Sequence, residues 1–248
     1  MTTFRLVGPG RAGSSLAAAL VDAGCELAGG LGRGDDLGPA ASGVDAVVIA
    51  TPDAAVAEVA AAIDPVPETV VLHLSGALGL DVLAPHHRRG SLHPLMPLPD
   101  AETGRARLSS GIAFAVAGDA LVTDLVVRLG GRPLAVADDL RAAYHAAACI
   151  AANHLVGLLG QVERVAATAG LPLEVFLPLA GAALADTARR GPAAALTGPA
   201  ARGDEATLDR HRHVLDPAER DGYEAGVRLV RRVAGQGAAD TAEMARCG

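Results

Sequence analysis

The chain has 248 residues, enough for one large domain or two modest ones, and half of them are apolar, so a well-buried core is within reach. Only 2% are aromatic and tryptophan is absent, so Ala, Val and Leu must fill that core through close packing of small side chains. A formal charge of −7 argues against a nucleic-acid partner, and all 21 basic residues are arginine, which excludes lysine as nucleophile, Schiff base or general acid.

The first half alternates short apolar runs with helical stretches, the pattern of parallel βαβ units. A strand is expected at Phe4–Val7 and a helix over Ser14–Ala23. Between them lies Gly8-Pro9-Gly10-Arg11-Ala12-Gly13, a G-x-G-x-x-G at a strand-to-helix junction. Gly8 permits the tight turn, Gly10 lets the backbone approach a pyrophosphate, and Gly13 lets the helix pack close to the strand. The helix N-terminus, at Arg11 and Ala12, offers unpaired N–H groups to the phosphates. The position of the motif points to a dinucleotide in a Rossmann-type sheet.

The second strand, near Glu26–Leu31, ends in Gly32-Arg33-Gly34 rather than in an acidic residue. Arg33 is placed to clamp a 2′-phosphate, with Asp35 and Asp36 too far along, so NADP(H) is favoured over NAD. Only Arg33–Asp45 separates this strand from the next, which leaves the usual helix and third strand missing from the pattern.

Further strands are expected at Ala46–Ala50, Thr69–Leu74, near Ser91, at Ile112–Val116 and at Leu134–Val136, with helices at Asp53–Ala62 and Ala120–Leu129. Ligands in open parallel sheets sit beyond the carboxyl ends of strands. Thr51, Pro52 and Ser75 are therefore expected to line the ribose or nicotinamide, with Asp53 capping the helix that follows. His93, held extended before Pro94, is a candidate proton donor or a satisfied loop histidine.

From Asp138 onward only helical pattern remains, and the shift divides the chain into residues 1–137 and 138–248. A helix over Arg141–Val165 is uncharged from Ala142 to Val162, yet carries His145, Asn153 and His154. It is too polar for a comfortable membrane span and reads as buried between domains or subunits. Arg141, His145, Ala148 and Ala152 share a face, with Asn153 at its margin. The small residues admit a flat ring, and His145 and Asn153 offer a proton and an amide, or bond neighbouring helices instead. Later helices are expected at Leu173–Arg189, Asp204–Val214 and Pro217–Ala234. Cys25, Cys149 and Cys247 show no metal or disulfide spacing and fit reduced thiols in a cytoplasm, and with a strand starting at Phe4 no signal peptide is expected.

GPGRAG at 8–13, ATPD at 50–53, HLSGA at 73–77, SLHP at 91–94, YHAAACIAANHLVGLL at 144–159 and LTGPAARGD at 196–204 together carry a resemblance over nearly the whole chain. The chain resembles a family of Rossmann-like oxidoreductases with a C-terminal helical domain of unknown function. That family is related to the superfamily of ketopantoate reductase, prephenate dehydrogenase, pyrroline-5-carboxylate reductase and 6-phosphogluconate dehydrogenase. The resemblance implies a homodimer with intertwined helical domains and the substrate between domains. It also brings Gly198, Pro199, Arg202, Gly203 and Asp204 toward the cleft, with Arg202 on a substrate carboxylate. Where ketopantoate reductases use a helical-domain lysine, this chain offers Arg141, a poor proton donor.

The expectation is an α/β chain, a Rossmann-type parallel sheet plus an all-α domain, that reduces a small carboxylate-bearing carbonyl compound with NADPH. A ketopantoate-like 2-keto acid comes first. An imine reductase is the enzyme alternative, and an idle NADP(H)-binding sensor the alternative from another class. His145 is the preferred acid, Asn153 orients the substrate, and no metal, membrane or nucleic acid takes part.

Overall fold

The computed structural model describes residues 1–244, so Cys247 lies outside the described residues. The chain divides into two compact units, Met1–Ala152 and Asn153–Gly248. Residues 138–152, which composition groups with the helices, thus belong to the compact unit of the sheet.

In the first unit β1 (Thr3–Val7) leads through the glycine turn into α1 (Arg11–Asp22) and then β2 (Glu26–Leu31). β3 (Ala46–Ile49), α2 (Asp53–Ala61) and β4 (Val70–His73) follow. The unit continues with β5 (Arg89–Pro94), α3 (Ala101–Leu108), β6 (Ala113–Gly118), α4 (Ala120–Arg128) and β7 (Arg132–Ala135). The sheet order is β2-β1-β3-β4-β5-β6-β7. Only a short 3-10 turn, Gly38–Ala41, lies between β2 and β3, so the third strand of the usual sheet is missing and β2 is left as a largely exposed edge.

Every neighbouring pair is parallel except β5 and β6, which run antiparallel. Between β5 and β6 lies α3, a helix that the hydrophobic pattern does not announce. Its Gly104 sits directly on Ser15 of α1. Asp100 caps it, accepting from the Thr103 N–H at 2.8 Å.

Covered on both faces, the parallel strands β3 and β4 are apolar apart from His73 and buried throughout. One face packs Phe4, Leu16, Leu20, Leu72, Leu108 and Phe114 against the helices, and the other packs Val47, Ile49, Val56, Ile63 and Leu83. Each such side chain contributes about 1.5–3 kcal/mol of burial.

The register aligns the carboxyl ends of four strands. Val7 pairs with Leu31 and with Ile49, Ile49 with His73, and His73 with Ser91. The glycine turn, Thr51, Ser75 and His93 therefore all emerge at one end of the sheet.

α5 (Arg141–Cys149) closes the first unit and runs into a π-helical turn, Ile150–His154, then α6 (Leu155–Ala167). By length and composition the helix Asp138–Ala167 could cross a membrane, and none of its most apolar stretch is buried in the single chain.

The second unit continues with α7 (Leu177–Arg190), α8 (Pro192–Ala195), α9 (Pro199–Arg202), α10 (Glu205–Val214) and α11 (Pro217–Met244). Asp204 caps α10 through the Thr207 N–H at 3.0 Å, and Arg212 ties α10 to Glu224 of α11 at 2.6 Å. Its described buried apolar residues are few (Ala166, Leu208, Leu215 and Val227), while Val156, Leu158, Leu179, Leu184 and Leu229 stand exposed.

Candidate functional site

The glycine turn is built as a cradle. Gly8 has φ +90°, and a Cβ there would lie 3.0 Å from Ala50 and Thr51. A Cβ on Gly13 would come within 2.5 Å of the Gly8 carbonyl oxygen and 2.8 Å of Ala50 Cβ, so β1, α1 and β3 close on each other only through glycine. Gly10 differs: a Cβ there would meet nothing within 4 Å. α1 begins at Arg11 with no side-chain cap on Gly10 and no acidic residue in its first turn. Its first N–H groups and its dipole thus face an open, uncompensated space suited to an anion. Beside it the Thr51 hydroxyl is buried without a hydrogen-bond partner. These features fit a dinucleotide pyrophosphate.

At the end of β2, Arg33 is exposed and has no hydrogen-bond partner among the described residues. Asp35, expected too far along, folds back in a tight turn and accepts from the Gly32 N–H at 2.7 Å. An arginine and a carboxylate therefore share this strand end.

One expectation is corrected at the end of β3. Asp53 does not cap α2; Pro52 holds the N-cap position, and the Asp53 carboxylate accepts from the Ser75 hydroxyl at 2.7 Å. That bond uses the only O–H of Ser75, whose oxygen also accepts from the N–H groups of Ala77 and Leu78, both at 3.1 Å. The Ser75 side chain thus locks its own loop and has no donor left for a cofactor. His73 reinforces the loop: wholly buried, it accepts from the Ser75 N–H through Nδ1 and donates through Nε2 to the Gly79 carbonyl, both at 3.2 Å. Burial pushes its pKa down, and the tautomer follows from these two partners.

Beyond this loop four side chains converge. His93 on β5 and His145 on α5 are neighbours with ring centroids 5.7 Å apart, edge to face. Both rest on Gly76, where a Cβ would lie 2.6 Å from His145 Cδ2 and 2.9 Å from His93 Nε2. Tyr144, which carries no role in the sequence reading, places its hydroxyl 2.7 Å from His93 Nδ1. Arg141 is 0% exposed; its Nη2 donates to the Ser75 carbonyl at 2.7 Å, while Nε and Nη1 are buried without a partner.

The His93 pKa is lowered to about 4, first by burial and then by the nearby His145 and Arg141. Near neutral pH the His93 ring is therefore neutral. The lowered pKa also sets a stability signature. The unfolded chain protonates this ring near 6.5 and the folded one not until about 4, so the unfolded state binds more protons in between. Stability should fall as pH drops through that window, by up to about 3 kcal/mol from His93, with His73 acting in the same direction. Denaturant midpoints across this range should show a shallower pH slope in His93→Gln; identical slopes would remove the assignment.

Asn153 lies exposed in the π-helical turn and belongs to the second unit. There the 3.6-residue period that links it to the Arg141–His145 face no longer holds. Gly198, with φ +104°, precedes α9, and Arg202, exposed, ends it. Among the described residues no three His, Cys, Asp or Glu side chains group as a metal site.

Residues 112–229 match a domain of unknown function, DUF2520. No curated protein matches the chain. Among solved structures, a protein of Bacteroides fragilis assigned as an NADP oxidoreductase superposes with a TM-score of 0.78 at 21% identity, covering 93% of this chain and 98% of that one. A reductive aminase from Aspergillus terreus, in complex with NADPH and ethyl-5-oxohexanoate, gives 0.66 at 15%, covering 95% and 98%. The 1-pyrroline-5-carboxylate reductase of Streptococcus pyogenes gives 0.60 at 14%, covering 95% and 97%. The fold is that of the Rossmann-like reductases.

Proposed function

We propose that this chain is a cytoplasmic NADP(H)-dependent oxidoreductase that reduces a polarised C=O bond in a small carboxylate-bearing molecule, a 2-oxo acid of the ketopantoate kind first. The observation that carries this reading is a wholly buried guanidinium with two unused donors beside a histidine pair, at the same end of the sheet as the glycine cradle. Gly8, Gly10, Gly13 and the N–H groups of Arg11 and Ala12 hold the pyrophosphate, Thr51 and Pro52 border the ribose, and Arg33 takes the 2′-phosphate. When bound, NADPH supplies a hydride. Arg141 meets the substrate carboxylate through charge-assisted bonds from its unpartnered nitrogens, Nε and Nη1, which lie on different edges of the guanidinium. The proton that the reduced oxygen needs comes from the histidine pair above Gly76.

A C=N substrate is the second reading, because His93 is neutral and a protonated imine brings its own proton. The reductive aminase of the same fold supports it, and the cationic Arg141 weighs against it unless a carboxylate accompanies the imine. NADPH absorbance followed with 2-oxo acids and with cyclic imino acids separates the two. Cofactor binding without turnover on either would leave a sensor instead. Arg33→Ala should lower the NADPH/NADH affinity ratio about ten- to hundred-fold; an unchanged ratio would count against Arg33.

The same proposal includes a homodimer. The apolar face of the helix 138–167 and the exposed leucines and valines of the second unit exceed what a soluble monomer carries. Light scattering should give about twice 24.8 kDa at micromolar concentration, and a single-chain mass would refute the pairing.

A further inference from the structure

We infer that Tyr144 fixes His93 as the Nε2–H tautomer and so makes His93, rather than His145, the neutral proton donor of this site. The inference rests on the reductase reading for its chemistry, but its structural half stands on the protein alone. The two side chains come from different elements, β5 and α5, and meet with Nδ1 and Oη 2.7 Å apart and their rings edge to face at 5.6 Å. Such a bond has two possible directions. A phenol O–H is a much stronger acid than a neutral imidazole N–H, and an imidazole nitrogen is a much better base than a phenol oxygen. The favoured arrangement has Tyr144 donating and Nδ1 accepting.

The ring proton is then left on Nε2, the edge that lies over Gly76 and makes no hydrogen bond among the described residues. His145 offers no such definition, since its described contact is a long one between Nε2 and Cys149 Sγ at 3.8 Å. The charges around the pair keep both members neutral. Burial, His145 and Arg141 hold His93 unprotonated against the opposing Asp53, and burial raises Tyr144 despite Arg141.

The proton step then balances. As the carbonyl carbon gains its hydride, the His93 Nε2–H bond breaks and an O–H bond forms on the substrate. The Tyr144 O–H bond breaks as Nδ1–H forms, and the ring stays neutral in its other tautomer. The phenolate left on Tyr144 faces the Arg141 cation and is reprotonated from water. Tyr144 is thus a positioning residue acting through His93.

Long-range nitrogen–proton NMR on the labelled, full-length protein without ligand reads the tautomer directly. His93 should be protonated at Nε2 and bare at Nδ1 at neutral pH, and His73 serves as an internal reference whose pattern follows from its own two partners. Tyr144→Phe should shift the His93 nitrogens toward a mixed tautomer while leaving those of His73 in place. It should also lower kcat at least tenfold with KM and NADPH affinity within about twofold, a fraction of what general acid catalysis supplies. An Nδ1–H tautomer in the wild-type protein overturns the inference, as do unchanged His93 signals in the variant. Should Tyr144→Phe not fold, the wild-type tautomer alone decides. Failure of every substrate to turn over would sink the reductase reading while leaving the tautomer result standing.

Discussion

Gly10→Val is expected to abolish NADP(H) binding while the protein stays folded, whereas Gly13→Val should lose both binding and stability. The two glycines belong to one motif, yet their surroundings are opposite. At position 10 the backbone is ordinary, with φ −78° and ψ −173°, and an added Cβ meets no protein atom within 4 Å. Valine at this helix-capping position should cost no more than about 1 kcal/mol of stability. Its methyl groups would fill the space above the first N–H groups of α1, so affinity should fall at least about a hundredfold, near 2.7 kcal/mol. At position 13 an added Cβ lies 2.5 Å from a backbone carbonyl and 2.8 Å from Ala50 Cβ, and neither neighbour can swing aside. Overpacking of that kind costs about 1–3 kcal/mol or more, or roughly 2–4 °C in Tm per kcal/mol for a chain of this size. Calorimetry with NADPH and thermal melts separate the cases. Retained affinity in a folded Gly10→Val protein would make the turn merely structural.

That contrast marks how far sequence carries and where it stops. The glycine turn is legible because each glycine is demanded by a local backbone requirement, and the buried runs of β3 and β4 because both faces of the sheet are covered. The missing third strand is legible as simple chain length between Arg33 and Asp45. α3 is not, since Ala101–Leu108 is short and largely polar and docks through Gly104 on Ser15, a contact that leaves no hydrophobic period. The antiparallel pairing of β5 with β6 likewise leaves no local pattern in the sequence.

Within the site, Arg141, His145 and His93 are recognisable by type and position, and the fold brings them together. Tyr144 is overlooked because it sits one position off the face chosen from Arg141 and His145, and its partner is 51 residues away on β5. The available signal is the Tyr144-His145 dipeptide itself, which on a helix splays two polar rings about 100° apart. The Ser75–Asp53 hydrogen bond spans 22 residues and so leaves no local signal in the sequence. The π-helical turn at Ile150–His154 breaks the 3.6-residue period on which the sequence places Asn153 at the margin of the Arg141–His145 face.

Arg141→Met is expected to raise stability and destroy substrate binding together. A guanidinium held at 0% exposure loses its hydration, an effective penalty of several kcal/mol per ion. No carboxylate of the described residues lies in salt-bridge range of it, and one charge-assisted bond to the Ser75 carbonyl returns only about 1.5–3 kcal/mol. Two buried N–H-bearing nitrogens remain unmet, at about 1–3 kcal/mol each. A methionine of similar length removes the charge and both unmet groups and keeps most of the packing, so Tm should rise by several degrees. The carboxylate-bearing substrate then loses its cationic partner, and KM should climb at least a hundredfold while NADPH affinity holds. The protein without substrate is thus destabilised at the position that the substrate completes, the trade expected of a binding group kept at the expense of stability. The opposite result decides as clearly. If Arg141→Met lowers stability by about 3–5 kcal/mol, the size expected when one partner of a buried pair is removed, then the guanidinium is already satisfied within the protein and is not held in reserve for a substrate anion.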